Sequence, residues 1–439
     1  SISARQDLVQ ALILLLFFFP LFFQLKGSIF TSTDLNYDSQ GLLLQLPLPI
    51  AAVFCFIGIA FHLRLEKAHL CTGVVFTIFM MMMLSTIISS VGVGKTELAK
   101  FIFLVQFILP MFALILGNLY LKPESNYLRV EAVVIYMLLI IIPLEVTATV
   151  LHQNETLSPD LYLFSLYQQV QYLPVIFIGL YFFAAVSLYE KSRLSCLVLF
   201  LAPWMGVYLA KSQSRLAILL AVVGIIIFIL GAYKNNKTGR GLTLVLLLIV
   251  SFTFFYPTIT LTKTGSLQVE QRLQATKEPM ALNDGGSQEK NKITAGLTKS
   301  LKERFFYWEY YGKGIIETPK TFFFGHKSRP ERNKFHAYNY YLDLMYNFGV
   351  VSVLPFFYLI FVTIRNFWRI TKANLLKTNL VMLSFIVGFF VFTDSLFKVS
   401  FRQPYPGMMV FFLWGMLLAR LSEIEGNMSF SKEVKNKNE

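Results

Sequence analysis

The sequence predicts an all-α, polytopic integral membrane protein of about twelve transmembrane helices, with one large loop between the ninth and tenth. Three observations predict it. Of 439 residues, 55% are apolar and only 15% charged, whereas soluble domains carry about 45–50% and about 25%. The apolar excess is gathered in runs of roughly 17–23 residues, the length a helix needs to cross a bilayer. Lys and Arg stand in the connections between the runs, so the net charge of +14 belongs to the membrane flanks, with no nucleic-acid motif beside it. A soluble enzyme, a disordered chain and a disulfide scaffold are excluded.

The runs fall near 8–25, 42–63, 70–91, 101–121, 130–151, 172–189, 194–210, 216–233, 242–262, 347–364, 379–397 and 405–421. The first is too long for a signal-peptide core and no small-residue cleavage site follows, so it reads as a retained helix. Pro20, Pro49, Pro110 and Pro143 lie inside spans, where buried neighbours absorb the lost hydrogen bonds. The stretch 161–171 reads as an interfacial piece. Cys55, Cys71 and Cys196 all fall in apolar runs and read as small buried hydrophobes.

Orientation follows from the short connections. Alternate ones carry Arg64/Lys67, Lys122/Arg129, Lys191/Arg193, Lys234/Lys237/Arg240 and Arg365/Arg369/Lys372/Lys377, and the tail adds Lys432, Lys435 and Lys437. Both termini are therefore expected in the cytoplasm. The chain divides into a membrane domain at 1–262 (spans 1–9), an outer loop at 263–346, spans 10–12 at 347–421, and a cytoplasmic tail at 422–439. Within the loop, 276–300 reads as a polar linker. Residues 300–317 read as an amphipathic helix with Leu301, Phe305, Trp308 and Ile315 near one face, and 336–347 as a helix running into the tenth span.

Several motifs invite chemistry. Gly92-Val-Gly94-Lys95-Thr96 imitates a phosphate loop, but Ser89 stands where the first glycine belongs and membrane spans flank it, so nucleotide binding is rejected. Lys211-Ser-Gln-Ser214-Arg215 ends the seventh span; alone it reads as an interfacial arginine snorkelling to headgroups, and its place on the side where the charge bias disfavours cations adds weight to a role facing a polar cavity or an anion. Arg304 and Trp308, four apart, share a helix face. Between Pro319 and His336 runs a basic segment with His326, Lys327, Arg329, Arg332 and Lys334. It reads equally as a solvated loop against anionic lipid and as a cationic cage for a diphosphate. Glu145 and Asp394 are intramembrane acids, Asp343 lies two turns into the 336–347 helix, and Arg402 in the last outer connection is placed to join the cage. His62, His69 and His152 sit at span ends and read as structural.

Taken in order, Ser214-Arg215, Arg304-x-x-x-Trp308, Pro319…Gly325-His326 and Tyr338-Asn339-Tyr340-Tyr341-Leu342-Asp343…Asn347-Phe348-Gly349 resemble the O-antigen ligase/polymerase superfamily. The resemblance covers the span layout and the large late loop, with the specific motifs between Lys211 and Gly349. It implies transfer of a glycan on the periplasmic face of a Gram-negative inner membrane, from an undecaprenyl-diphosphate-linked donor to a lipid-linked acceptor. It implies no metal, cofactor, nucleotide or nucleic acid, and leaves room for a chain-length regulator and a flippase as partners. By resemblance, Arg215 and Arg304 bind the diphosphate, with Trp308, His326, Arg329, Arg332, Asn339, Tyr340, Lys211 and Arg402 as further substrate contacts. Family ligases carry a His-Asn pair before a Gly-x-x-Gly-like end. Here Tyr338-Asn339 holds that place, His336 lies two residues earlier, and the end reads Gly349-Val-Val-Ser352. Either His336 or Tyr338 then takes the base position, and the two departures tilt the reading from ligase toward polymerase. Protein O-oligosaccharyltransferases and, from another class, a lipid or glycan transporter are the rivals.

Overall fold

The structure is a computed structural model that describes residues 2–18, 50–62, 69–90, 98–120, 125–151, 172–186, 194–256, 292–326, 337–402 and 404–438. Among them there is helix and no strand. In chain order the helices are α1 (Ile2–Phe18), α2 (Ile50–Phe61), α3 (His69–Ser90), α4 (Leu98–Tyr120), α5 (Ser125–Leu151), α6 (Leu173–Ala185), α7 (Leu194–Ser212), α8 (Arg215–Lys234) and α9 (Thr238–Phe255). Then come α10 (Lys292–Ile315), α11 (Pro319–Phe324), α12 (Tyr340–Phe348), α13 (Leu354–Lys372), α14 (Thr378–Gly388) and the long α15 (Pro404–Asn438). Eight helices among the described residues are long and apolar enough to span a bilayer, and four shorter apolar ones fall in the other windows.

Several boundaries differ from expectation for local reasons. Residues 292–300, expected in the linker, already belong to α10. The loop's last helix does not run into the next span, because Gly349 at φ 76° ends α12 and a 3-10 turn, Val350–Ser352, intervenes before α13. A Cβ on Gly349 would sit 2.1 Å from the Phe323 carbonyl oxygen, so the residue must be glycine twice over. Phe305 faces outward, off the packed face of α10, where Ile315 is buried. Cys55 and Cys71 are buried as expected, but Cys196 is exposed on the flank of α7, where an apolar side chain is at home against lipid. The phosphate-loop imitation at 92–96, the interfacial stretch at 161–171 and His152 lie outside the described residues.

The centre of the bundle is built by α6, α4 and the first half of α15. Every residue of α6 is buried, which its apolar sequence permits on all sides. Helices α4 and α15 pack backbone to backbone. A Cβ on Gly117 would meet the Phe412 carbonyl oxygen at 2.1 Å, and one on Gly415 would meet that of Leu114 at 2.1 Å. Small residues allow such approach where no hydrophobic drive separates helix from lipid.

The two ends of the bundle differ. At one, Arg129 pairs with Asp7 at 2.9 Å, Arg420 with Glu423 at 2.8 Å, and Arg369 with Glu425. The Lys234 ammonium reaches the Leu376 carbonyl, and the Asn235 amide donates to the Thr378 hydroxyl at 3.1 Å. The basic connections at 125–129, 234–240 and 365–377 therefore share this end. The start of α8 at Arg215 and the far end of the α14 segment at Phe397 are carried to the other.

Candidate active site

The opposite end is organised by the loop helices. Helix α11 has a capping box, Thr318 with Thr321, and ends at Gly325 with φ 72°. His326 is then fixed three ways. Its backbone N–H donates to the Tyr346 carbonyl at 2.8 Å, its Nε2 lies 2.8 Å from the Gly314 carbonyl oxygen, and its ring stacks on Tyr346 at 4.1 Å. This clamp locks α10 onto α12, and the Ser85 hydroxyl ties the Phe324 carbonyl to α3. His326 is thus a joint between loop helices in this structure.

Asn339 caps α12, its side-chain oxygen accepting from the N–H groups of Tyr341 at 3.0 Å and Leu342 at 3.1 Å. Tyr340 is wholly buried among Phe107, Phe356 and Phe401, where burial pushes its phenol well above the ordinary tyrosine range. Tyr338, just before the cap, has φ 48° and an exposed ring. That ring stands 5.8 Å from the Arg304 guanidinium and packs on Tyr307.

Arg304 is therefore walled by aromatics, Tyr338 on one side and Phe397 on another at 6.0 Å. No carboxylate among the described residues pairs with it. Trp308, one turn on, also reaches Phe397, and its indole N–H is buried with no acceptor among the described residues. Helical spacing of four puts the two on one face, and Phe397 receives both.

Behind this face lie two buried ion pairs. Arg402 donates to Asp343 at 2.5 Å, both side chains less than a tenth exposed, and Asn347 also bonds the Asp343 carboxylate at 3.1 Å. Lys398 lies 3.4 Å from Asp394, whose other oxygen accepts from the Ser400 hydroxyl. Asp394 closes a π-helical stretch, Phe389–Asp394, that follows α14. Such stretches loosen backbone carbonyls; here Tyr341 donates to that of Val391 at 2.7 Å and Ser395 to that of Phe390 at 2.7 Å. Burial pushes the Lys398 ammonium below the ordinary lysine range, Asp394 opposes that, and Arg304 adds to it. Tyr172, before α6, receives Lys398 over its ring at 5.4 Å and feels the charges of Arg402 and Asp394.

Lys211 is buried at the end of α7, and Arg215 is exposed at the start of α8, after Gln213 at φ 48° and the capping Ser214. They share this end of the bundle, but no described contact joins either to Arg304. Arg329, Arg332 and His336 lie outside the described residues. The group that sequence reading missed is Lys398. Its signal was present, a cation four residues after the intramembrane Asp394 where an apolar run stops.

Residues 197–357 match the O-antigen ligase family model. That segment, somewhat over a third of the chain, is similar to the O-antigen ligase family. The match supports the O-antigen ligase/polymerase superfamily, whose members are glycosyltransferase-like membrane enzymes. The domain includes Arg215, Arg304, Trp308 and the Tyr338-Asn339 turn; Asp394, Lys398 and Arg402 are contributed from beyond it. No curated protein and no solved structure matches the chain.

Proposed function

We propose that the protein is an O-antigen polymerase, joining undecaprenyl-diphosphate-linked repeat units on the periplasmic face of the inner membrane, through twelve spans with both termini in the cytoplasm. The observation that carries the transfer chemistry is Arg304, a guanidinium walled by Tyr338 and Phe397 with no carboxylate partner among the described residues. A diphosphate leaving group supplies the missing counter-charge, and the charge it gains in the transition state is what such a donor holds best. In the reaction, an acceptor sugar hydroxyl attacks the donor's anomeric carbon. The bond to the diphosphate breaks with its electron pair leaving on the diphosphate oxygen, and the hydroxyl proton passes to a base. His336 is the sequence candidate for that base, with Tyr338 as the rival. Arg215 meets the diphosphate from α8, with Lys211 behind it, and Trp308 offers an indole face and N–H to a sugar. Arg329 and Arg332 of the basic segment add cations, and Arg402 supports the cage from behind.

The ligase reading shares the donor and differs in the acceptor. The Tyr338-Asn339 turn, in place of a His-Asn pair, favours the polymerase. Purified protein in vesicles, given lipid-linked repeat units alone, is expected to build a ladder of multiples. Single transfer that appears only when lipid A–core is added would replace polymerase with ligase.

A further inference from the structure

Two cavities follow one another along the same three helices, at the end of the bundle away from Arg304. The wider one, about 1220 Å³, is lined by Arg369 and Lys372 of α13, Lys377 before α14, and Arg420, Glu423 and Glu425 of α15. The narrower one, about 300 Å³, is an apolar groove between α13, α14 and α15. The lining passes from one to the other at Arg369 and Phe367 on α13, Leu380 and Val381 on α14, and Arg420 and Leu417 on α15. Gly388 forms part of the groove wall. Its φ of −59° does not require glycine, and a Cβ there would meet no atom within 4 Å. The groove is therefore open where a side chain could have filled it. Trp414, tied to the Thr363 hydroxyl at 2.9 Å, lines it as well.

The wide cavity lies at the level of a membrane boundary. Trp368, one residue before Arg369, is exposed and carries the Lys372 ammonium over its ring at 5.5 Å, the pairing expected where hydrocarbon meets water. From Val381 to Phe392 the groove follows about 16 Å of helix. That is close to one leaflet's share of a hydrocarbon core about 30 Å thick. Among the cations, Arg420 is taken by Glu423 at 2.8 Å and by the Tyr127 ring at 5.8 Å. Arg369 meets Glu425, but a guanidinium carries five donors and this one is more than half exposed.

We propose that the two cavities form one binding site for an anionic phospholipid of the leaflet on this side. Arg369 and Lys372 hold its phosphate, and one acyl chain lies in the groove past Gly388. Basic pockets between membrane helices take anionic headgroups in this way, and the groove gives the chain a seat of leaflet depth. Glu425 at the rim opposes the anion. The lipid-linked substrate is not the occupant, because its diphosphate belongs at the Arg304 end and the charged mouth of this groove is at the other. Filling the site is therefore read in lipid binding, not in glycan transfer.

The test places the full chain in phosphatidylcholine vesicles and adds brominated phosphatidylglycerol or brominated phosphatidylcholine. Bromine on an acyl chain quenches indole emission on contact, and the share missing in Trp414→Phe belongs to Trp414. Quenching of that share is expected at about tenfold less phosphatidylglycerol than phosphatidylcholine. Lys372→Ala is expected to lose about fivefold of the preference, and Glu425→Gln to gain about twofold. Gly388→Leu fills the groove and is expected to shield Trp414 from both lipids at an unchanged unfolding midpoint. Equal quenching by the two lipids overturns the inference, as does an undiminished preference in Lys372→Ala or undiminished quenching in Gly388→Leu. Displacement of the brominated lipid by millimolar inorganic phosphate overturns it too, since the occupant would then be a soluble anion. If Lys372→Ala does not fold, Glu425→Gln decides by sign, and a preference that fails to rise overturns the headgroup assignment. None of these readouts uses glycan transfer, so this site and the proposed activity stand or fall separately.

Discussion

The two ends of this bundle use the same residue types for different ends. At the end of the basic connections, the Arg369–Glu425 pair is exposed, while Arg420 is close to buried. Arg369 and Glu425 are 54% and 29% accessible, and with Lys372, Lys377, Arg420 and Glu423 they line an open cavity of about 1220 Å³. At the site end, Asp343, Asp394, Lys398 and Arg402 are all buried. Water and salt screen the Arg369–Glu425 pair, so it adds little and its cation serves the charge bias of the loops. The second set carries a desolvation cost that only close pairing or a bound anion offsets.

The sharpest way to break this comparison is Asp343→Asn. It leaves the Arg402 guanidinium buried without its counter-charge, and removing one partner of a buried pair costs about 3–5 kcal/mol. Thermal unfolding in detergent should register that loss. The double variant Asp343→Leu/Arg402→Met should recover much of it, since apolar replacement of a buried pair is often near neutral. A single variant as stable as wild type would mean that the corner is wetter than its burial implies.

Arg304→Ala should rank next, and on activity rather than stability. Loss of one charge-stabilising donor costs about 10²–10³-fold in turnover, read as disappearance of the glycan ladder at unchanged protein yield. Arg304→Lys should restore only part, because a point charge cannot use the aromatic walls as a planar guanidinium does. Arg369→Ala at the other end should leave the ladder intact.

How much of this was legible in sequence follows from what each feature depends on. Span positions are set by composition over a run of residues, and every apolar window holds a helix. The Arg304–Trp308 face follows from helical spacing alone. The break at Gly349 was harder, because glycine within an apolar stretch takes its meaning from the Phe323 carbonyl, distant in the chain. Lys398 was missed for a related reason. Its neighbours Arg304 and Tyr172 come from other helices, and no spacing rule announces a meeting of three segments. His326 reads as a cage residue from its basic run, and its contacts with Gly314 and Tyr346, which come from other segments, could not be read from that run.

A smaller effect distinguishes capping from substrate contact at Asn339. Asn339→Ala removes the acceptor for two N–H groups of α12 and should cost about 0.5–2 kcal/mol, while Asn339→Asp keeps the cap. Hydrogen exchange at Tyr341 and Leu342 should accelerate in the first variant and not in the second. If both variants lose the ladder while exchange is unchanged in Asn339→Asp, the amide touches substrate as well as backbone.

The smallest expected effect belongs to the other end and is informative because it is small. Glu425→Gln removes the partner of Arg369, but that guanidinium is more than half exposed and keeps its water. Exposed pairs contribute about 0–1 kcal/mol, so unfolding in moderate salt should barely move. Raising the ionic strength should erase what difference remains. The same salt series applied to Asp343→Asn should leave its deficit nearly intact, because counter-ions do not reach a buried guanidinium. A deficit in Glu425→Gln that matched Asp343→Asn and resisted salt would show that burial does not separate the two ends, and the open cavity beside Arg369 would then need a structural role of its own.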